Sequence, residues 1–243
     1  MAIDDNDALT KVVQKLDRLG YLEDSDRDAV RALPFEVKTA PKDHFLIREG
    51  DEATDCCVLL EGYACRTKTT SSGGRQIVSF HMSGDILDLQ LLLLSRADHN
   101  IQAITDVTFA SVPAADMRRI AQEYPRINEA LWRDTMIDAS VFREWVLNVG
   151  RRDSKARVAH MLCEFAARRV AAGLGAAERF ELPMTQQQIA DATGLTPVIV
   201  SRTLYELGQD GVILRDQNEV EITDWARFRD IADFDRTYLH SEG

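Results

Sequence analysis

The chain has 243 residues, 45% of them apolar and 28% charged, with 40 acidic side chains against 29 basic ones and a net charge of −11. That length suits two modest domains, and the charge weighs mildly against a nucleic-acid partner unless local arrangement supplies a basic footprint. The longest apolar stretch, Ile86 to Leu94, is broken by Asp88 and Gln90 and is far too short to span a bilayer. The opening, MAIDDNDALTKVV, is acidic and lacks an apolar run, so the expectation is a cytoplasmic protein with no membrane partner. Cysteines at 56, 57, 65 and 163 form neither a disulfide framework nor a CxxC metal pattern. In a strand, Cys56 and Cys57 would point to opposite faces, so they read as ordinary thiols.

Residues 7–19 and 24–33 read as two short helices divided by Gly20, the second ended by Pro34. From Phe35 to about Pro113 the pattern changes to short alternating segments bounded by Gly, Asp or Ser. Turns every 8–12 residues imply an antiparallel sandwich or roll, with Ser71-Ser72-Gly73-Gly74 as a hairpin tip. Residues 114–148 are helical, interrupted at Pro125. The piece from 125 carries apolar residues at 127, 130, 131, 137, 141, 145 and 149, a spacing that suits one long helix packed on its own domain, with a second side available to an identical helix. Asp134 and Asp138 interrupt that seam. Gly150 reads as a hinge. Residues 153–172 form another helix with Val158, Met161, Leu162, Phe165 and Ala166 on one face, and His160 and Cys163 read as a core pair rather than metal ligands.

The stretch Leu182 to Thr223 is the most informative. Thr185 can cap a helix with Gln188 as its capping-box partner. Gly194 supplies the sharp turn, Thr196 caps a second helix and Pro197 takes its first position. Val200, Leu204 and Leu207 recur as an inward stripe, leaving Val198, Ile199, Ser201, Arg202 and Tyr205 outside it. Gly211 ends the helix, and residues 212–214 and 219–222 read as a two-stranded wing. Together these describe a winged helix-turn-helix, whose second helix enters the major groove of DNA. Residues 151–243 hold 12 basic and 15 acidic side chains, so the footprint has to come from Arg151, Arg152, Lys155, Arg157 and Arg202. A final helix follows, carrying Trp225, Phe228, Ile231 and Phe234.

The core Thr196-Pro197-Val198-Ile199-Val200-Ser201-Arg202-Thr203-Leu204 resembles the recognition segment of the Crp/Fnr family of bacterial transcription regulators. Upstream, Ile47-Arg48-Glu49-Gly50-Asp51, Leu59-Leu60-Glu61-Gly62 and Gly84-Asp85 resemble the β-roll of cyclic-nucleotide-binding-like domains. The resemblance implies an α+β fold: an N-terminal antiparallel β-roll (double-stranded β-helix-like), a long dimerisation helix and a C-terminal winged helix-turn-helix. The corresponding domains are 1–118, 119–150 and 151–243. It implies a homodimer paired through Ile127, Leu131, Ile137, Val141 and Trp145, acting on double-stranded DNA with RNA polymerase as a further partner. Arg202, Ser201, Val198 and Ile199 would face bases; Thr185, Gln186, Thr196, Arg151 and Arg152 would face the backbone. An enzyme is not expected, because no Ser-His-Asp arrangement, P-loop or HxH cluster occurs. The alternative is a sensory ligand-binding module whose winged helix makes protein contacts instead of DNA contacts.

Family members that bind cyclic AMP use a Gly-Glu pair for the ribose and an Arg-Ser pair for the phosphate. Here the first position reads Asp88-Leu89, and the second region reads Ser95-Arg96-Ala97-Asp98-His99. Arg96 is the only arginine nearby, and Asp98 would repel a phosphate. An effector pocket is therefore placed at Asp88, Leu89, Arg96 and His99, with no cyclic nucleotide expected. The oxygen-sensing branch uses an N-terminal cysteine cluster, and no cysteine precedes position 56. Cys65, His81 and His99 lack the spacing that would mark a haem site. No iron–sulfur, haem or metal cofactor is expected.

Overall fold

The computed structural model describes residues 8–52 and 54–240; the expected helix start at Asp7 lies outside the described residues. The chain divides into two compact units, residues 1–67 with 80–138 and residues 68–79 with 139–243.

The first unit opens with helices α1 (Thr10–Gly20) and α2 (Asp24–Arg31). Helix α1 buries Val12, Val13 and Leu16, spaced along one face. Gly20 is not the turn that divides the helices: it is the last helical residue, and Tyr21 takes the left-handed conformation at φ 50°. The glycine is needed for contact instead. A Cβ there would lie 2.7 Å from the Ala130 Cβ and 2.8 Å from the Arg126 carbonyl oxygen. The second helix is capped as its sequence allows, with the Glu23 N–H donating to Asp26 Oδ2 at 2.8 Å.

Seven strands follow: β1 (Glu36–Ala40), β2 (Phe45–Ile47), β3 (Asp55–Glu61), β4 (Ala64–Thr69), β5 (Arg75–His81), β6 (Asn100–Ala103) and β7 (Val107–Pro113). They form two sheets, ordered β1-β7-β3 and β2-β6-β4-β5. Strand β3 shows why alternation builds this unit. Cys56, Val58 and Leu60 join a core with α1, α2 and the next two helices, whereas Cys57 and Leu59 join a second core inside the roll. The two cysteines thus point to opposite faces. A short 3₁₀ turn, Leu89–Leu92, crosses between β5 and β6.

Helix α3 (Ala114–Glu123) leads to the 27-residue helix α4 (Pro125–Arg151). Gly150 does not break it. The helix runs on to Arg151, and the next one, α5 (Ser154–Ala171), is capped by Asp153, whose carboxylate accepts from the Ala156 N–H at 2.9 Å. The junction therefore falls at 152–153, where the cap is, and not at the glycine.

In the second unit α5 precedes β8 (Arg179–Glu181), α6 (Gln186–Thr193), α7 (Pro197–Gln209), β9 (Ile213–Asp216), β10 (Glu219–Ile222) and α8 (Trp225–Ala232). The wing is a three-stranded sheet, β8-β10-β9, not a two-stranded ribbon. The final helix is shorter than its apolar pattern suggests. It stops at Asp233, which adopts φ 47°, and Arg236–Leu239 form a separate 3₁₀ turn. This unit closes over a polar cluster. The Trp145 indole N–H lies 3.0 Å from both Glu164 carboxylate oxygens, and the Tyr238 hydroxyl donates to Glu164 Oε2 at 2.8 Å. His160 stacks on Tyr238 with ring centres 5.8 Å apart, and its Nε2 lies 3.2 Å from a Glu144 oxygen. Both His160 and Cys163 are buried.

Candidate nucleic-acid interface

The helix-turn-helix is set by its caps. Thr185 Oγ1 accepts from the Gln188 N–H at 3.2 Å, and Gln188 Oε1 accepts from the Thr185 N–H at 2.9 Å. These two bonds satisfy donors that the start of α6 leaves without helical partners. Gly194 ends α6 in the left-handed conformation at φ 67°, which a Cβ would disfavour. Thr196 Oγ1 then accepts from the Ile199 N–H at 3.3 Å, and Pro197 begins α7. Val200, Leu204 and Leu207 are buried, and so are Ile189 and Ala190 of α6. That leaves one face of α7 outward. Val198 is 78% exposed and Tyr205 67%, with Ile199, Ser201 and Arg202 beside them. Val198 and Arg202 are four residues apart and share a row. Arg202 Nε donates to Glu206 Oε1 at 2.8 Å, one turn further along.

The residues nominated for the DNA backbone and the basic footprint divide into two groups. Arg151 is exposed at the end of α4, and Thr185, Gln186 and Thr196 are exposed around the helix starts. Arg152 is not available. Its side chain is 8% exposed and pairs with Glu144 at 2.7 Å and Asp233 at 3.1 Å, so its role is internal. Arg157 donates to the carbonyls of Arg152 and Thr193, and Lys155 pairs with Asp210. A guanidinium already holding two carboxylates gains little from a phosphate.

The dimer stripe also needs correction. Ile127, Leu131, Val141 and Trp145 are all buried in their own chain, and Ile137 is half-buried. Ile127 and Leu131 belong to the core shared with α1 and α3. Side chains already covered offer no surface to a second copy. The exposed apolar residues of α4 are Trp132, Met136, Val146 and Leu147.

The four residues placed in the effector pocket do not converge. Asp88 is buried, its Oδ1 accepting from the Cys57 N–H at 2.9 Å and the Cys56 thiol at 3.3 Å. Burial pushes its carboxyl up to about 6, against those bonds. Arg96 lies on the surface, paired with Glu52 at 2.7 Å. His99 is buried against Asp98 and Gln90. Of the four, Leu89 alone lines a cavity of about 30 Å³, together with Arg66, Ile86, Gln90, Asp134, Thr135 and Asp138. The arginine facing this cavity is therefore Arg66, not Arg96. It donates to Asp138 at 3.1 Å and to the Leu87 carbonyl at 3.0 Å. Beside it, Lys15 sits 2.9 Å from both Asp85 and Asp134. Burial opposes the ammonium, but the two carboxylates outweigh it and hold Lys15 above the ordinary lysine range. Nothing local marks Arg66 in the sequence, because its partners come from distant segments.

The lining of this cavity fits a cyclic phosphate poorly. Ligand pockets span about 300–1,000 Å³, roughly ten times this cavity or more, and two aspartates line it where a cyclic phosphate would need cations. The four cysteines are buried; Cys56 and Cys57 face different cores and Cys163 lies in the other unit. Among the described residues no three His, Cys, Asp or Glu side chains gather as metal ligands.

A roll followed by a long helix and a winged helix-turn-helix defines a transcription-regulator architecture, and comparison with known proteins agrees. Residues 37–124 match the cyclic nucleotide-binding domain model and residues 156–231 the Crp-like helix-turn-helix domain model. The nitrogen fixation regulation protein FixK of Bradyrhizobium diazoefficiens is 32% identical over 76% of this chain and 76% of its own length. The transcriptional activatory protein AadR of Rhodopseudomonas palustris is 30% identical over 88% of this chain and 87% of its own. The solved structure of FixK2 from Bradyrhizobium japonicum superposes with a TM-score of 0.75 at 26% identity, covering 82% of this chain and 98% of that one. The chain belongs to the Crp/Fnr family of transcription regulators. Among the described residues, no helix is long and apolar enough to cross a membrane.

Proposed function

We propose that this protein is a cytoplasmic, homodimeric regulator that binds a palindromic DNA site, with the sensory role in residues 1–118, pairing in 119–150 and DNA binding in 151–243. The observation that carries this is the outward face of α7: a capped helix, anchored by three buried apolar residues, presenting Val198, Ser201 and Arg202 to an external partner. Arg202 suits a guanine, whose O6 and N7 accept two parallel bonds. Val198 accepts no hydrogen bond, but its methyls suit a thymine methyl. Arg151, Thr185, Gln186 and Thr196 take the backbone contacts. In a dimer the two α7 helices would address successive major grooves about 34 Å apart.

The seam we assign is the exposed face of α4. Trp132, Met136, Ala139, Arg143, Val146 and Gly150 recur at i, i+4, i+7, i+11, i+14 and i+18, a heptad spacing suited to a parallel pair. The relatives AadR of Rhodopseudomonas palustris and FnrL of Cereibacter sphaeroides are named as activators. That favours activation through RNA polymerase for this chain as well. The small cavity lined by Arg66, Asp134 and Asp138 favours an effector other than a cyclic nucleotide.

Selection from a random DNA pool with the full chain tests this reading. A palindrome with one guanine per half-site that Arg202→Ala no longer requires supports it. Selection of no sequence, or a motif unchanged in Arg202→Ala, overturns it.

A further inference from the structure

Arg202 does not stand alone on the recognition face. Its Nε donates to Glu206 Oε1 at 2.8 Å, and the pair is open to solvent, with side chains 79% and 40% exposed. Ion pairs four residues apart on a helix surface are common and weak, so the distance alone says little. Two features make this one specific. The bond engages the Nε–H, the donor nearest the stem of the guanidinium. Among the described residues, the terminal amino groups Nη1 and Nη2 have no hydrogen-bond partner. A guanidinium is a planar fork of five N–H donors. It can meet a guanine end-on through its two terminal groups, or side-on through Nε and one of them. A carboxylate on Nε closes the side-on approach and leaves the end-on fork intact. The second feature is position. Glu206 lies one turn behind Arg202, on the side away from the α7 start, and Val198 one turn ahead. The acid thus holds the arginine from behind, and the apolar neighbour occupies the ground in front.

We infer that Glu206 is a positioning residue for base readout: it fixes the Arg202 guanidinium for end-on donation to guanine and does not itself contact a base. This rests on the proposal that α7 reads DNA. The same carboxylate carries a cost, since a negative charge near phosphates weakens binding to every sequence. The positioning effect and the charge effect are therefore separable by substitution. Glu206→Gln removes the charge but keeps an oxygen to accept from Nε. Glu206→Ala removes both.

The experiment measures affinity by fluorescence anisotropy, using the full-length protein on two duplexes. One is the palindrome that wild type selects; the other has the required guanine of each half-site replaced by adenine. Circular dichroism checks that each variant is folded, as expected for a half-exposed side chain. The quantity read is the ratio of the two affinities. Glu206→Ala should lower that ratio about five-fold, a part of what one bidentate arginine–guanine contact supplies. Glu206→Gln should keep it within about two-fold while tightening binding to both duplexes, because one repulsive charge is gone. An unchanged ratio in Glu206→Ala overturns the inference while leaving DNA reading by Arg202 intact. An altered preference at another base pair also overturns it, since Glu206 would then be reading a base directly. If both variants tighten binding equally and lower the ratio equally, charge and not position is responsible, and the inference falls. If wild type selects no palindrome, the DNA-binding reading fails first and takes this one with it.

Discussion

The recognition helix and the interior of the roll handle charge in opposite ways. Arg202 stands 79% exposed, tied to one neighbour on its own helix, and no part of the core leans on it. Arg66 is 7% exposed and held by Asp138 and the Leu87 carbonyl, while Lys15 bridges Asp85 and Asp134 nearby. The first arrangement leaves donors facing outward for a partner. The second pairs its cations with carboxylates from within. A pair closed within the fold adds little net stability, yet removing its buried member costs packing and hydrogen bonds. Substitutions of similar size should therefore leave different signatures: lost stability in the roll, lost recognition in the helix.

The sharpest way to break this contrast is Arg66→Ala. It removes a side chain 7% exposed and the donor to the Leu87 carbonyl beside a small cavity, whereas Asp138, 41% exposed, keeps solvent; the cost in urea unfolding of the full chain should be about 1–3 kcal/mol. A loss below about 1 kcal/mol would mean that the roll's interior does not depend on this guanidinium. The long helix offers the same contrast between two of its own faces. Val141→Asp places an unpaired charge at a position 4% exposed and should destabilise the fold by about 3 kcal/mol or more. Val146→Asp, at a position 70% exposed, should leave the fold intact and shift light scattering from dimer to monomer. Two variants that behave alike would remove the distinction between core face and seam.

What the sequence revealed divides along the same line. The winged helix-turn-helix is assembled from neighbours: Thr185 with Gln188, Gly194, then Thr196 with Pro197, each a few residues from its partner. Caps and a 3.6-residue period are visible in one dimension, so the outward face of α7 could be named. The roll's cavity is not local. Arg66 meets Asp138 across 72 positions, and Lys15 meets Asp134 across 119. No spacing rule connects them. Strand β8 escaped notice for the same reason, because Glu181 pairs with Glu219 of β10 and its three residues show no pattern alone. The two faces of α4 look alike in sequence because a period between 3.5 and 3.6 fits a core stripe and a coiled-coil seam equally well. Gly150 misled because a single glycine inside a helix costs only about 1 kcal/mol, which the rest of a 27-residue helix tolerates.

On the recognition side, Arg202→Ala should leave thermal stability unchanged, since the exposed pair with Glu206 contributes little. It should lower affinity for the selected palindrome by about 1–3 kcal/mol and barely alter binding to unrelated DNA. Equal weakening on both would turn Arg202 into a phosphate contact. The contrast with the roll would then hold in charge but not in specificity.

The smallest expected effect tests whether the roll's interior is uniformly neutralised or keeps one charge at a cost. Asp88 is the exception, a buried carboxylate whose Oδ1 accepts from a backbone N–H and a thiol and which has no ion-pair partner among the described residues. Its pKa stands at about 6, above the ordinary 3.8. Between those values the folded chain holds the proton that the unfolded chain releases, so the stability Asp88 contributes is present below about pH 4 and is lost as pH rises through 6. Asp88→Asn cannot ionise, and its Oδ1 can still accept from the Cys57 N–H. The variant should match wild type near pH 4 and exceed it by about 1–2 kcal/mol at pH 7.5. His81 and His160, pushed by burial down to about 4 and about 3, act with the opposite sign. Their stability is present at neutral pH and is lost on acidification below about 6.5. They are common to both proteins, so they cancel in the difference taken at each pH. A difference that does not change between pH 4 and 7.5 would mean that Asp88 ionises as an exposed carboxylate does, and that the roll tolerates its charge without cost.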